Sequence, residues 1–93
     1  LQYNAKEDAV SLARKINGIQ KYFMEQSRLG IPIIAFDEAL HGLVRSGATA
    51  FPQAIALSST WDTSLMSKVA NAIALETKLR GIRQILSPVI NLA

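Results

Sequence analysis

Apolar positions near the start of the chain recur at helical spacing: Leu12, Ile16, Ile19 and Phe23 form a stripe that Ala9, Ala13 and Met24 widen. Lys6, Glu7, Arg14, Lys15, Lys21 and Glu25 fall mostly off it. The pattern predicts an amphipathic helix from Lys6 to about Arg28, with Asn4 as a candidate N-cap and Gly30 plus Pro32 as the stop. Gly18 costs that helix roughly 1 kcal/mol of propensity against alanine, which makes it a candidate for close packing.

The pattern then changes. Ile31-Pro32-Ile33-Ile34-Ala35-Phe36 is continuously apolar and rich in β-branched residues, which predicts a strand buried on both faces, the signature of a parallel sheet. Proline is tolerated at its start. Asp37 and Glu38 arrive where this strand ends, and His41-Gly42 follow in a loop. Ser46-Gly47-Ala48-Thr49 is turn-like, and Phe51 to Leu57 suits a short helix better than an irregular segment. Thr60, Asp62 or Thr63 can cap a long helix from about Ser64 to Arg80. Met66, Val69, Ala70, Ile73 and Thr77 form one face of it, broadened by Leu65, Ala72, Leu75 and Leu79. Lys78 and Arg80 occupy its last turn, and Gly81 is the expected C′ residue. Ile82 to Leu92 reads as a second buried strand, interrupted by Ser87-Pro88. Helix, strand, loop with short helix, long helix, strand is an α/β order with parallel strands. Two strands cannot cover both faces of such a sheet. An incomplete fragment of a (β/α)8 (TIM-like) barrel, a fold of about 250 residues, accounts for the surplus apolar surface.

Composition narrows the function classes. The 93 residues are 49% apolar and 18% charged, too apolar for a disordered tail. The lack of cysteine excludes disulfides, thiolate metal sites and a cysteine nucleophile. The net charge is +3; its basic residues are scattered, which argues against a nucleic-acid partner. No apolar run approaches the roughly 18 residues of a membrane span, and no signal peptide is visible at Leu1-Gln2-Tyr3-Asn4. The absence of an initiator methionine suggests part of something longer.

Five segments carry a resemblance. Ser27-Arg28-Leu29-Gly30-Ile31-Pro32, Asp37-Glu38-Ala39-Leu40-His41-Gly42, Gly47 through Leu57 (GATAFPQAIAL), Ser59-Thr60-Trp61-Asp62 and Leu86 through Ala93 (LSPVINLA) resemble, in this order, glycoside hydrolase family 3. The resemblance runs from about Ile19 to Ala93. It implies that residues 1–93 are a partial N-terminal (β/α)8-like domain of a retaining, exo-acting β-glycosidase of the β-glucosidase or β-xylosidase kind. In that family an aspartate nucleophile lies far downstream and the acid/base usually comes from a following domain. No catalytic residue is therefore expected in these 93 residues, and the chain alone is expected to be inactive. The implied partners are a β-linked oligosaccharide or glycoside and the rest of the parent chain, with no nucleic acid, membrane, metal or cofactor. The family would suit a periplasmic or secreted address.

The resemblance carries one binding residue across. The acid opening the acid-x-x-His-Gly motif, here Glu38, binds hydroxyls of the non-reducing sugar in the −1 subsite; the plain reading is a solvated loop carboxylate. The family often has aspartate there, and the extra methylene of Glu38 would reach into space that a pentose leaves empty. Adjacent side chains on a strand point to opposite faces, so Asp37 should not share Glu38's direction. The two do not make a retaining pair, whose carboxyls flank one bond about 5–5.5 Å apart. His41, the sole histidine, is expected to lock the loop beneath Glu38 rather than to act as base or metal ligand. Trp61 is expected to be a core or interface anchor rather than a sugar platform, and Asp62 a helix cap. Arg45 and Ser46 could line an entrance but read as ordinary surface. Glu76 is expected to pair with Arg80 one helical turn on. Phe51-Pro52 and Ser87-Pro88 are the candidate cis bonds. A non-catalytic α/β binding or assembly module that retains the family signature is the alternative function.

Overall fold

In the computed structural model, which describes residues 7–90, the predicted α/β order is present: helix α1 (Ala9–Gln26), strand β1 (Phe36–Asp37), helix α2 (Ala54–Ser58), helix α3 (Thr63–Leu79) and strand β2 (Gln84–Ile85). The two strands pair in parallel, with Phe36 opposite Gln84 and Asp37 opposite Ile85. The Ala35 carbonyl accepts from the Arg83 and Gln84 amides, and the Asp37 carbonyl from the Leu86 amide.

Helix α1 is shorter than its apolar stripe. Asp8 caps it, accepting from the Ser11 amide at 2.7 Å, and the chain turns extended at Ser27. Asn4, the expected cap, lies outside the described residues. Leu12 and Ile16 are fully buried, whereas Phe23 and Met24 at the far end of the stripe are exposed. Gly18 does not mark close packing: a Cβ there would meet nothing within 4 Å. Helix α3 is capped by Asp62, which accepts from the Leu65 amide at 2.9 Å. It closes at Arg80, with Gly81 beyond it at φ +86°. A Cβ on Gly81 would also press to 3.2 Å from the Ile16 side chain. Val69 and Thr77 are its buried positions, and the Thr77 hydroxyl is satisfied by the Ile73 carbonyl at 2.7 Å.

The strands are much shorter than the apolar runs that foretold them, and the first is not buried on both faces: Ile34 is 67% and Phe36 55% exposed. The first run is held outside the sheet at Ile33. Its amide donates to the Gln20 side-chain oxygen at 2.9 Å and its carbonyl accepts from Gln20 Nε2 at 2.6 Å. A side chain of α1 thus takes the place of a neighbouring strand there. In the second run only Gln84 and Ile85 pair, and the Ser87–Pro88 bond is cis. The core is small: Leu12 and Ile16 of α1 meet Ala35, Ala39, Leu43 and Ile82, with Ala48, Ile73 and Ile85 against them. Each buried leucine or isoleucine contributes about 1.5–3 kcal/mol. This core sits under the ends of both strands and so supports the loop that follows β1.

Candidate functional site: the corner after the first strand

Two carboxylates leave the C-terminal end of β1 with different fates. Asp37 turns to its own loop, where Oδ2 accepts from Arg45 Nε at 3.1 Å and from Arg45 Nη2 in a salt bridge. Its other oxygen, Oδ1, accepts from the Glu38 amide at 2.9 Å. The pair is largely shielded, with side-chain exposures of 12% for Arg45 and 19% for Asp37. Glu38 is exposed.

The loop that follows folds back on itself at His41. The His41 carbonyl accepts from the Phe51 amide at 2.7 Å, and His41 Nδ1 lies 3.1 Å from the Phe51 carbonyl oxygen. Gly42 is required at this crossing: its φ is +119°, and a Cβ would sit 2.3 Å from the Thr49 carbonyl oxygen. The expected turn at Ser46-Gly47 is present, closed by the Ala48 amide on the Arg45 carbonyl at 3.1 Å. Between them the His41–Ser46 stretch, Ala48 and Ala50 line an open cavity of about 480 Å³.

Helix α3 holds this loop from the other side, and here the expected Glu76–Arg80 pairing is overturned. Glu76 instead accepts from the Thr49 amide at 2.9 Å and from the Thr49 hydroxyl at 2.7 Å. The Thr49 amide, then its hydroxyl, hold the Glu76 carboxyl below its ordinary pKa; partial burial opposes them and the Arg80 charge adds a smaller push downward. Arg80 is only 4% exposed. It donates Nη1 to its own helix at the Glu76 carbonyl, 2.9 Å, and Nη2 across to the Ser46 carbonyl, 3.0 Å. Turn 46–49 is thus fastened at both ends to the last turn of α3.

Asp62 is the cap that was expected, but Trp61 is not a core anchor: it is 94% exposed at φ +52°. Arg45 is more than ordinary surface, and neither its bond to Asp37 nor that of Glu76 to Thr49 is legible in the sequence. The partners lie eight and twenty-seven residues apart along the chain, across irregular loop in both cases, so no single element's periodicity relates them; opposite charge at Asp37 and Arg45 is the only available signal. Among the described residues no group of three or more His, Asp or Glu side chains could hold a metal ion, and no helix is long and apolar enough to cross a membrane.

The family model for the glycosyl hydrolase family 3 N terminal domain matches residues 3–93. A beta-xylosidase of Formosa agariphila is 36% identical over 84 residues, covering 85% of this chain and 12% of that protein. A beta-glucosidase of Rhizobium radiobacter is 32% identical over 72 residues, 70% of this chain and 9% of that protein. A probable exo-1,4-beta-xylosidase of Neosartorya fischeri is 32% identical over 87 residues, 80% and 11% respectively. The chain spans about a tenth of the length of these relatives. Xylosidases and glucosidases both stand among these relatives, and the chain belongs to glycosyl hydrolase family 3, whose N-terminal domain it matches over residues 3–93.

Proposed function

We propose that the chain is part of the (β/α)8-like N-terminal domain of a retaining, exo-acting β-glycosidase of the β-xylosidase or β-glucosidase type. In this reading it supplies two barrel strands and contributes Glu38 to the −1 subsite. The supporting observation is the division of labour at the end of β1: Asp37 is engaged by Arg45, while Glu38 is left exposed at the C-terminal end of a parallel strand. That end of a barrel is where substrate sites form. A carboxylate there accepts from two neighbouring sugar hydroxyls at once, and hydrogen bonds to a charged acceptor contribute about 1.5–3 kcal/mol each. His41, tied to Phe51, supports the loop beneath Glu38 and does not transfer a proton. The nucleophile and the acid/base belong to other parts of the parent protein, so the chain by itself binds part of a sugar and cleaves nothing.

In the full-length protein, Glu38→Gln should lower kcat/KM for an aryl β-xyloside or aryl β-glucoside by roughly tenfold to a hundredfold, the loss of one hydrogen bond to a charged acceptor, with the fold retained. Wild-type kinetics in that variant would remove the sugar-binding role. Comparing kcat/KM for the two aryl glycosides tests whether the longer acid favours the pentose.

A further inference from the structure

The residue bonded to the backbone amide of the exposed acid is the one beside it. Asp37 uses its two oxygens for two different tasks: Oδ1 holds the Glu38 amide at 2.9 Å and Oδ2 is held by Arg45. Arg45 is itself fixed, since its amide donates to the Leu43 carbonyl at 2.7 Å and its carbonyl accepts from Ala48. The turn that contains it is fastened to α3 through Ser46 and Thr49. A continuous set of hydrogen bonds therefore runs from α3 through the turn to Arg45, from Arg45 to Asp37, and from Asp37 to the backbone of Glu38.

We propose that Asp37 and Arg45 are positioning residues for Glu38. This rests on the reading of Glu38 as a sugar-binding carboxylate. The guanidinium has two effects. It neutralises Asp37, so that the carboxylate next along the chain does not repel or compete with Glu38 for donors. It also prevents the Asp37 carboxylate from rotating, which keeps Oδ1 on the Glu38 amide and sets the direction in which Glu38 leaves the strand. Misplacing a substrate-holding group by a small distance is costly even where the group itself is intact. Asparagine at position 37 would keep the shape but lose the charge that holds Arg45. Lysine at position 45 would keep the charge but not the planar head that places both Nε and Nη2 on one oxygen.

The test uses the complete glycosidase and a panel of aryl β-glycosides, each lacking one ring hydroxyl. In the wild type, removing a hydroxyl held by Glu38 should raise KM, and Glu38→Gln should abolish that penalty. Asp37→Asn and Arg45→Ala should each lower kcat/KM for the parent glycoside by about tenfold, within the loss that misplacement of a binding group produces. They should also shrink the penalty at the same hydroxyl, with Arg45→Lys falling between Arg45→Ala and the wild type. Arg45→Lys also keeps the experiment decisive if Arg45→Ala fails to fold. Wild-type kinetics in Asp37→Asn and Arg45→Lys, with Glu38→Gln impaired, would overturn the positioning role alone. Loss of rate with the hydroxyl penalty undiminished would overturn it too, as a merely structural defect. An unaltered Glu38→Gln variant would instead remove the sugar-binding reading on which this rests.

Discussion

At position 42 the backbone leaves no room for a side chain. Gly42 combines φ +119° with a backbone oxygen 2.3 Å from where a Cβ would stand, and backbone cannot move aside as a flexible side chain can. Gly42→Ala in the full-length protein should open the His41–Phe51 crossing, at a cost of about 1–3 kcal/mol for the forced conformation. The readout is faster hydrogen exchange across residues 41–51 with β1 unaffected. Gly81→Ala meets only the Ile16 side chain, at 3.2 Å, and should disturb exchange in α1 and at the end of α3 more mildly. What the sequence could say at this scale depended on range. Asp62 is legible as a cap because a cap binds three residues away; the same local reasoning pairs Glu76 with Arg80, yet its true partner, Thr49, lies 27 residues back. Trp61 shows the other side of this: a large aromatic implies burial, yet nothing in the described residues covers it.

Helices were easier to place than strands because a helix satisfies its own backbone. The apolar stripes of α1 and α3 predicted both elements to within a few residues, the termini moving to where Asp8 and Asp62 accept their hydrogen bonds. A strand needs a neighbour, and the run from Ile31 found a Gln20 side chain instead for part of its length. The clasp between α3 and turn 46–49 gives a pH prediction. The folded-state pKa of Glu76 is depressed, so its contribution is fully present above the unfolded-state value. It is lost as pH falls from the ordinary glutamate range through the lowered one. Hydrogen exchange over residues 45–51, corrected for intrinsic rate, should therefore speed up in that acidic window. Glu76→Gln should show the faster exchange already at neutral pH, on the order of tenfold for the loss of a charged acceptor. Exchange in the variant equal to wild type at neutral pH would show that the carboxylate does not hold Thr49.

As a whole the molecule is extended and carries too much apolar surface. Its radius of gyration is 15.5 Å, against about 12 Å for a compact domain of this length. Its accessible surface of 7045 Å² exceeds the roughly 5,300 Å² expected for its mass. Ile31, Ile34, Phe36 and Leu86, from the two runs that read as buried strands, are among the exposed residues, as expected if the proposed barrel supplies their cover. The isolated 93-residue chain should accordingly unfold without a cooperative transition, or aggregate, in a denaturant titration, because its sheet faces and edges lack partners. A sharp two-state melt of a monomer would count against the fragment reading. By itself the sequence determined the element types, their parallel order and the family, because periodicity, local capping and motif order are written along the chain. Only the tertiary structure decided that Asp37 takes Arg45 while Glu38 stays exposed, that Glu76 reaches Thr49, and that the strands pair over two residues each. Those outcomes depend on which distant groups meet in space, a relation that spacing along the chain does not encode.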